Sequence, residues 1–192
     1  PRVTFVFGTR PEAIKLAPVI KQFSNSNFFK TKVILTGQHT SIVQNVTDLF
    51  ELKIDNDLKI MKHNQTLSYI TNIVIKELEK DFCSNKTDLL YVQGDTTSAF
   101  AASLAGFYSK VPIAHIEAGL RTGSLFEPYP EEANRRFISQ IAAINFAPTE
   151  NAKQNLIKSD VFGEIYVTGN TVVDAIHQIQ NLIDKKSTLK NL

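Results

Sequence analysis

Three acids in this 192-residue chain have settings that suggest proton chemistry. Asp95 closes the run Leu89-Leu90-Tyr91-Val92-Gln93-Gly94-Asp95-Thr96-Thr97. Glu117 closes a second, Val111-Pro112-Ile113-Ala114-His115-Ile116-Glu117-Ala118-Gly119. Each run reads as a strand that ends on an acid set among small residues. Ligands of an open parallel sheet bind outside the carboxyl ends of its strands, so an acid there faces a ligand first. Glu131 follows on a helix start rich in proline. Together the three point to proton transfer rather than simple binding.

Each acid also has a purely structural account. Asp95 or Thr96 would cap the next helix. Glu117 would pair with Arg121, four residues on; the functional alternative is a carboxylate whose pKa that neighbour tunes. Glu131 and Glu132, with Arg135 and Arg136 at i+4, would complement a helix dipole and form two surface pairs. That account suits Glu132–Arg136 best, because Glu131 emerges from a long loop. Gly8-Thr9-Arg10-Pro11-Glu12 joins the first strand to the first helix. Free N–H groups and the helix dipole favour an anion there, with Arg10 on the turn and Lys15 about one turn further in. A glycine turn with two solvated cations explains the same residues. The turn is neither G-x-G-x-x-G nor a P-loop, which argues against a nicotinamide or a nucleoside triphosphate. Gly169-Asn170-Thr171 reads as a turn and cap that could touch a ligand, and His63 and His177 read as solvated. His115-x-Glu117 matches half of the zinc-deaminase pattern, but the other half needs P-C-x-x-C and Cys83 is the only cysteine. No metal is expected.

The elements that must position these residues alternate. Apolar runs at 3–7, 32–36, 89–92, 113–116, 145–147 and 165–167 read as strands. Amphipathic stretches at 11–23, 40–50, 67–82, 97–108, 130–143, 151–158 and 170–183 read as helices. Pro11 suits a first helical turn, whereas Pro18 is expected to kink that helix. Strand–helix alternation of this kind predicts an α/β fold, a doubly wound parallel sheet with helices on both faces. The stretch 119–129 lacks periodicity and links the second acid to the third, as functional loops often do. With 43% hydrophobic and 21% charged residues the chain is ordinary for a globular domain. A net charge of +2 implies no bulk attraction to nucleic acid or membrane. A lone cysteine excludes an internal disulfide and fits a reducing, cytoplasmic compartment. No leader and no spanning run is apparent. The first strand begins almost at Pro1 and the end is polar, so the chain is expected to be a piece of a longer polypeptide.

Taken in order, Phe7-Gly8-Thr9-Arg10-Pro11-Glu12-Ala13-Ile14-Lys15, Gly94-Asp95-Thr96-Thr97, His115 to Thr122, Pro130-Glu131-Glu132-Ala133-Asn134-Arg135 and Thr168-Gly169-Asn170-Thr171 closely resemble the non-hydrolysing UDP-N-acetylglucosamine 2-epimerases. The resemblance implies one Rossmann-like half of a GT-B-type, two-domain architecture: residues 1–184 as the amino-terminal domain, 185–192 as a polar tail or linker start, and the carboxy-terminal UDP-binding domain absent. It implies interconversion of UDP-GlcNAc and UDP-ManNAc through 2-acetamidoglucal, for cell-envelope polysaccharides, with no cofactor or metal. The chain alone would be inactive, and the full enzyme a homodimer that binds UDP-GlcNAc or UDP. The family's essential acids fall on Asp95, Glu117 and Glu131. Arg10 and Lys15 fall on its basic substrate contacts, and the motifs bring His115, Arg135 and Gln38 into the binding set. Some members have an allosteric UDP-GlcNAc site lined by Gln-His-x-Gln and by an Arg before Gln-Thr-Leu. Here Gln38 is kept, while Ser41 and Asn64 replace the glutamine and the arginine, so the resemblance does not carry activation over. The alternatives are a GT-B glycosyltransferase half, a hydrolysing epimerase, or a non-catalytic single domain.

Overall fold

A computed structural model describes residues 1–37, 40–60, 62 and 64–190. Strand β1 (Arg2–Phe7) leads to helix α1 (Arg10–Ser24), then β2 (Lys30–Leu35), α2 (Thr40–Leu49), β3 (Asn56–Asp57) and α3 (Leu67–Ser84). The second half runs β4 (Leu89–Gln93), α4 (Thr97–Tyr108), β5 (Ile113–Ile116), α5 (Glu131–Ile141), β6 (Ile144–Ala147), α6 (Glu150–Lys158), β7 (Glu164–Val167) and α7 (Thr171–Lys190). The strands form one parallel sheet in the order β3-β2-β1-β4-β5-β6-β7. The chain starts in the middle, winds outward to β3, then returns to β4 and winds the other way. The expected doubly wound sheet is therefore present, with its switch point between β1 and β4.

Strand β1 shows why the sheet needs a layer on each face. Val3, Phe5 and Phe7 point to one side, where Leu16 and Ile20 of α1, Val43 and Val46 of α2 and Ala175 of α7 cover them. Val6 points to the other, against Val74 and Leu78 of α3 and Ala101, Ala102 and Ala105 of α4. Period-two alternation on a strand buried on both faces gives a continuous apolar run. Helix α4 packs against both α3 and α5, and Gly106 lets it lie close to β4 and β5. A Cβ on Gly106 would meet Leu90 Cδ2 at 2.8 Å.

Three sequence expectations need correction here. Helix α1 extends one residue beyond the expected end, to Ser24, with the buried Pro18 inside it. Helix α7 runs past 183 to Lys190. The two-residue strand β3, which pairs with Ile34 and Leu35, was not expected, being too short and polar to carry a pattern. The stretch 119–129 is a loop as expected, pinned where Thr122 Oγ1 donates to the carbonyls of Ser124 and Glu127.

Candidate active site

The switch point brings together the ends of β1, β4 and β5, which are neighbours in the sheet. There α1 and α4 leave toward opposite faces and open the crevice in which doubly wound folds bind ligands. The β1–α1 turn, the Asp95 turn, the Glu117 turn and the start of α5 all meet at this edge.

Glu117 adopts a left-handed conformation, φ 65°, which for a residue with a Cβ costs about 1 kcal/mol. Such strain persists where the surroundings impose it. Here three separate elements grip the carboxylate. Lys15 Nζ of α1 donates at 2.6 Å and Gln93 Nε2 of β4 at 2.5 Å, while Asn170 Nδ2, just before α7, donates to the other oxygen at 2.9 Å. The expected Glu117–Arg121 pair does not form. Arg121 turns instead to the Leu120 carbonyl at 2.8 Å and to Ser139 Oγ at 3.4 Å. Lys15 is correspondingly not a solvated cation; four residues beyond Pro11, it points across the sheet edge to an acid 102 positions away.

Asp95 follows Gly94, which takes φ 72° where a side chain would be strained. The Gly94 carbonyl meets His115 Nε2 at 2.7 Å, and the Asp95 carbonyl accepts from Asn134 Nδ2 at 2.9 Å. Thr96, not Asp95, caps α4 by accepting from the Ala99 N–H at 3.0 Å, so the carboxylate is free for other work. It pairs with Arg135 Nη2. Burial raises the Asp95 pKa; Arg135 counters this, and the negative charges of Glu117 and Glu131 add to the rise.

Glu131 opens α5 half-exposed, and its carboxylate has no hydrogen-bond partner among the described residues. Its expected pair with Arg135 is replaced by Arg135–Asp95. Glu132 does pair with Arg136, at 2.7 Å, but not on the surface: Glu132 is buried. It also accepts from the Thr122 N–H at 3.1 Å, which ties the loop to α5. Arg10 is the first residue of α1 and is exposed, with no ion pair among the described residues. His115 is wholly buried, and its ring grips the Gly94 carbonyl instead of reaching solvent. Burial lowers its pKa to about 4, so the ring is neutral. His177 is exposed, as expected. Gln38 and His63 lie outside the described residues.

Three contributors escaped the sequence reading. Gln93 sits inside an apolar strand. Asn134 follows two more conspicuous acids. Glu12 is buried, accepts from the N–H groups of Gly8 and Thr9 and from the Thr96 hydroxyl, and was read only as part of a turn. Its signal was available, since Thr9-x-x-Glu12 has capping-box spacing.

Fold and site define a Rossmann-like domain of the GT-B kind, with an acid-lined crevice at its switch point. The family model described as UDP-N-acetylglucosamine 2-epimerase matches residues 21–192, and the chain belongs to that family. A UDP-N-acetylglucosamine 2-epimerase of Neisseria meningitidis serogroup A is 51% identical over 176 residues, 91% of this chain and 47% of the relative. The crystal structure of the Neisseria meningitidis enzyme bound to UDP-GlcNAc superimposes with a TM-score of 0.93 at 47% identity, over 100% of this chain and 52% of the other. The chain spans about half the length of the curated relatives it matches. The lipopolysaccharide outer core galactosyltransferase WaaB shares the fold alone, with a TM-score of 0.65 at 13% identity over 88% of this chain and 46% of that one. Among the described residues, no helix is long and apolar enough to cross a membrane and no cluster of potential metal ligands occurs.

Proposed function

We propose that this chain supplies the acid-bearing wall of an enzyme that interconverts UDP-N-acetylglucosamine and UDP-N-acetylmannosamine, with residues 1–184 as its amino-terminal domain and a second domain holding the uridine diphosphate. The observation that supports the reading is the pairing of Glu117 with Lys15 and of Asp95 with Arg135 on neighbouring strand ends, in a member of this family.

The chemistry needs such a set. The hydrogen at sugar C2 is not next to a carbonyl, so simple abstraction and return is slow. Elimination solves the problem. A carboxylate takes the C2 proton, the C1–O bond breaks, and UDP leaves with the electron pair to give 2-acetamidoglucal. A second acid then delivers a proton to the opposite face of C2 as UDP oxygen re-forms the bond to C1. Proton transfers of this kind need carboxyl groups on both faces, and the departing diphosphate needs positive charge. Arg10 and the start of α1 supply that charge on one side. Lys15 keeps Glu117 in place, and Arg135 does the same for Asp95. His115 acts through the Gly94 carbonyl. The reaction as written draws on no metal or nicotinamide. The reading extends to a cytoplasmic homodimer that feeds cell-envelope polysaccharide synthesis.

A full-length chain carrying this segment, incubated with UDP-GlcNAc, is expected to form UDP-ManNAc. Release of free ManNAc with UDP would mean a hydrolysing relative, and sugar transfer only when an acceptor is added would mean a glycosyltransferase. The 192-residue chain by itself is expected to be inactive, because the leaving diphosphate would lack half its site.

A further inference from the structure

Glu12 is 1% exposed and has no cationic partner among the described residues. Burying an unpaired carboxylate is costly. Burial raises its pKa, and the hydroxyl of Thr96 and the N–H groups of Gly8 and Thr9 only partly offset this. A fold gains little from such a group unless its position is needed. One oxygen, Oε2, accepts from the N–H of Gly8 at 2.9 Å and of Thr9 at 2.7 Å. The other, Oε1, accepts from Thr96 Oγ1 at 2.6 Å, across 84 residues of sequence. Thr96 directly follows Asp95, and its hydroxyl oxygen also accepts from the Ala99 N–H at 3.0 Å, starting α4. Glu12 therefore bridges the turn that carries Arg10 and the turn that carries Asp95, from behind both.

We propose that Glu12 is a positioning residue that locks the β1–α1 turn, where an anionic leaving group would rest, to the Asp95 turn, so that the reach of the Asp95 carboxylate is set by the same turn that holds the anion. The inference rests on the epimerase reading. It needs the shape of Glu12 more than its charge. A glutamine keeps all three contacts: its oxygen accepts the two N–H groups and its amide donates to Thr96 Oγ1, which has a lone pair to spare. Aspartate is one methylene too short to span both turns, and alanine spans nothing. Misplacement of a reacting group by about 1 Å can cost about a hundredfold in rate.

The test is steady-state kinetics on a full-length chain carrying this segment, with amide order parameters measured by NMR on the 192-residue chain. Glu12→Gln and Thr96→Ser, which keep the bridge, are expected to stay within about threefold of the wild-type kcat. Glu12→Ala, Glu12→Asp and Thr96→Val are expected to lose about tenfold or more in kcat, with Thr96→Val leaving KM within about threefold. The double variant Glu12→Ala/Thr96→Val is expected to be little worse than the poorer single one, because both cut one link. Order parameters at Asp95 and Thr96 are expected to fall from about 0.85 toward 0.6 in Glu12→Ala, with those of β4 unchanged. Unchanged kcat in Glu12→Ala, or Glu12→Gln as impaired as Glu12→Ala, overturns the proposal. If the wild-type protein fails to epimerise UDP-GlcNAc, the epimerase reading fails by itself. Order parameters at Asp95 and Thr96 that stay put in Glu12→Ala then overturn the bridge as well.

Discussion

The Asp95 and Glu117 turns sit on adjacent strands and hold the same kind of group by opposite means. Around Asp95 the backbone is clamped. His115 meets the carbonyl before it, Asn134 its own carbonyl, and Glu12 the hydroxyl after it. The side chain itself meets a single partner, Arg135. Around Glu117 the backbone is left-handed, and it is the side chain that is caught, by donors from α1, β4 and the residue before α7. Asp95 is thus aimed by its turn, whereas Glu117 is aimed by its neighbours. The first should tolerate changes to side-chain partners better than changes to the turn, and the second the reverse.

The harshest way to break both turns is to remove the acids themselves. Asp95→Asn and Glu117→Gln keep the shape and remove the proton-transfer group. In a full-length chain each is expected to lose about 10²–10⁴-fold in kcat, with a melting temperature close to wild type by calorimetry. Near-normal turnover in both would end the epimerase reading.

The next largest effect separates the turns by pH. The folded-state pKa of His115 is depressed to about 4 from 6.5, so the native state keeps the ring neutral where the unfolded chain binds a proton. Stability from this group is fully present above 6.5 and is lost as pH falls toward 4, by roughly 3 kcal/mol in all at about 1.4 kcal/mol per pH unit. Urea titrations at pH 7 and pH 4.5 are expected to show wild type losing more stability than His115→Gln over that interval. An equal loss would mean that the ring is not held neutral.

Lys15→Met tests the Glu117 side. It leaves the turn intact and removes the cation 2.6 Å from the carboxylate. It is expected to cost about 10- to 100-fold in kcat/KM, in the range for a charged hydrogen-bond partner, with little change in stability. A smaller effect is expected from Asn170→Ala, about five- to tenfold in kcat/KM, since its donor carries no charge and the carboxylate keeps Lys15 and Gln93. If Asn170→Ala proved worse than Lys15→Met, Glu117 would be aimed from the α7 side instead of from α1.

Much of this arrangement was legible in the sequence because it is periodic or local. The strand at 113–116 and the helix at 97–108 carried clear patterns and ended on turn residues. The acids at Asp95 and Glu117 were conspicuous because a parallel sheet gives strand ends a meaning. What could not be read is pairing across the fold. Arg121 is near Glu117 in sequence, yet Lys15, on another element, takes the carboxylate. Nothing local marks Glu132 as buried, because its burial depends on the loop that the Thr122 N–H fastens to it. The resemblance puts His115 in the binding set; in the fold it lies on a strand buried on both faces, and its ring meets the Gly94 carbonyl. β3 is too short to carry any pattern.

The central claim is that the acids at this sheet edge exchange the hydrogen at sugar C2 through elimination and re-addition of UDP. The most direct measurement is an NMR time course of UDP-GlcNAc in deuterium oxide with a full-length chain carrying this segment. The account expects one solvent deuterium at C2 of the UDP-ManNAc formed, and no such exchange with Asp95→Asn. Epimerised product that keeps its original hydrogen at C2 would contradict it.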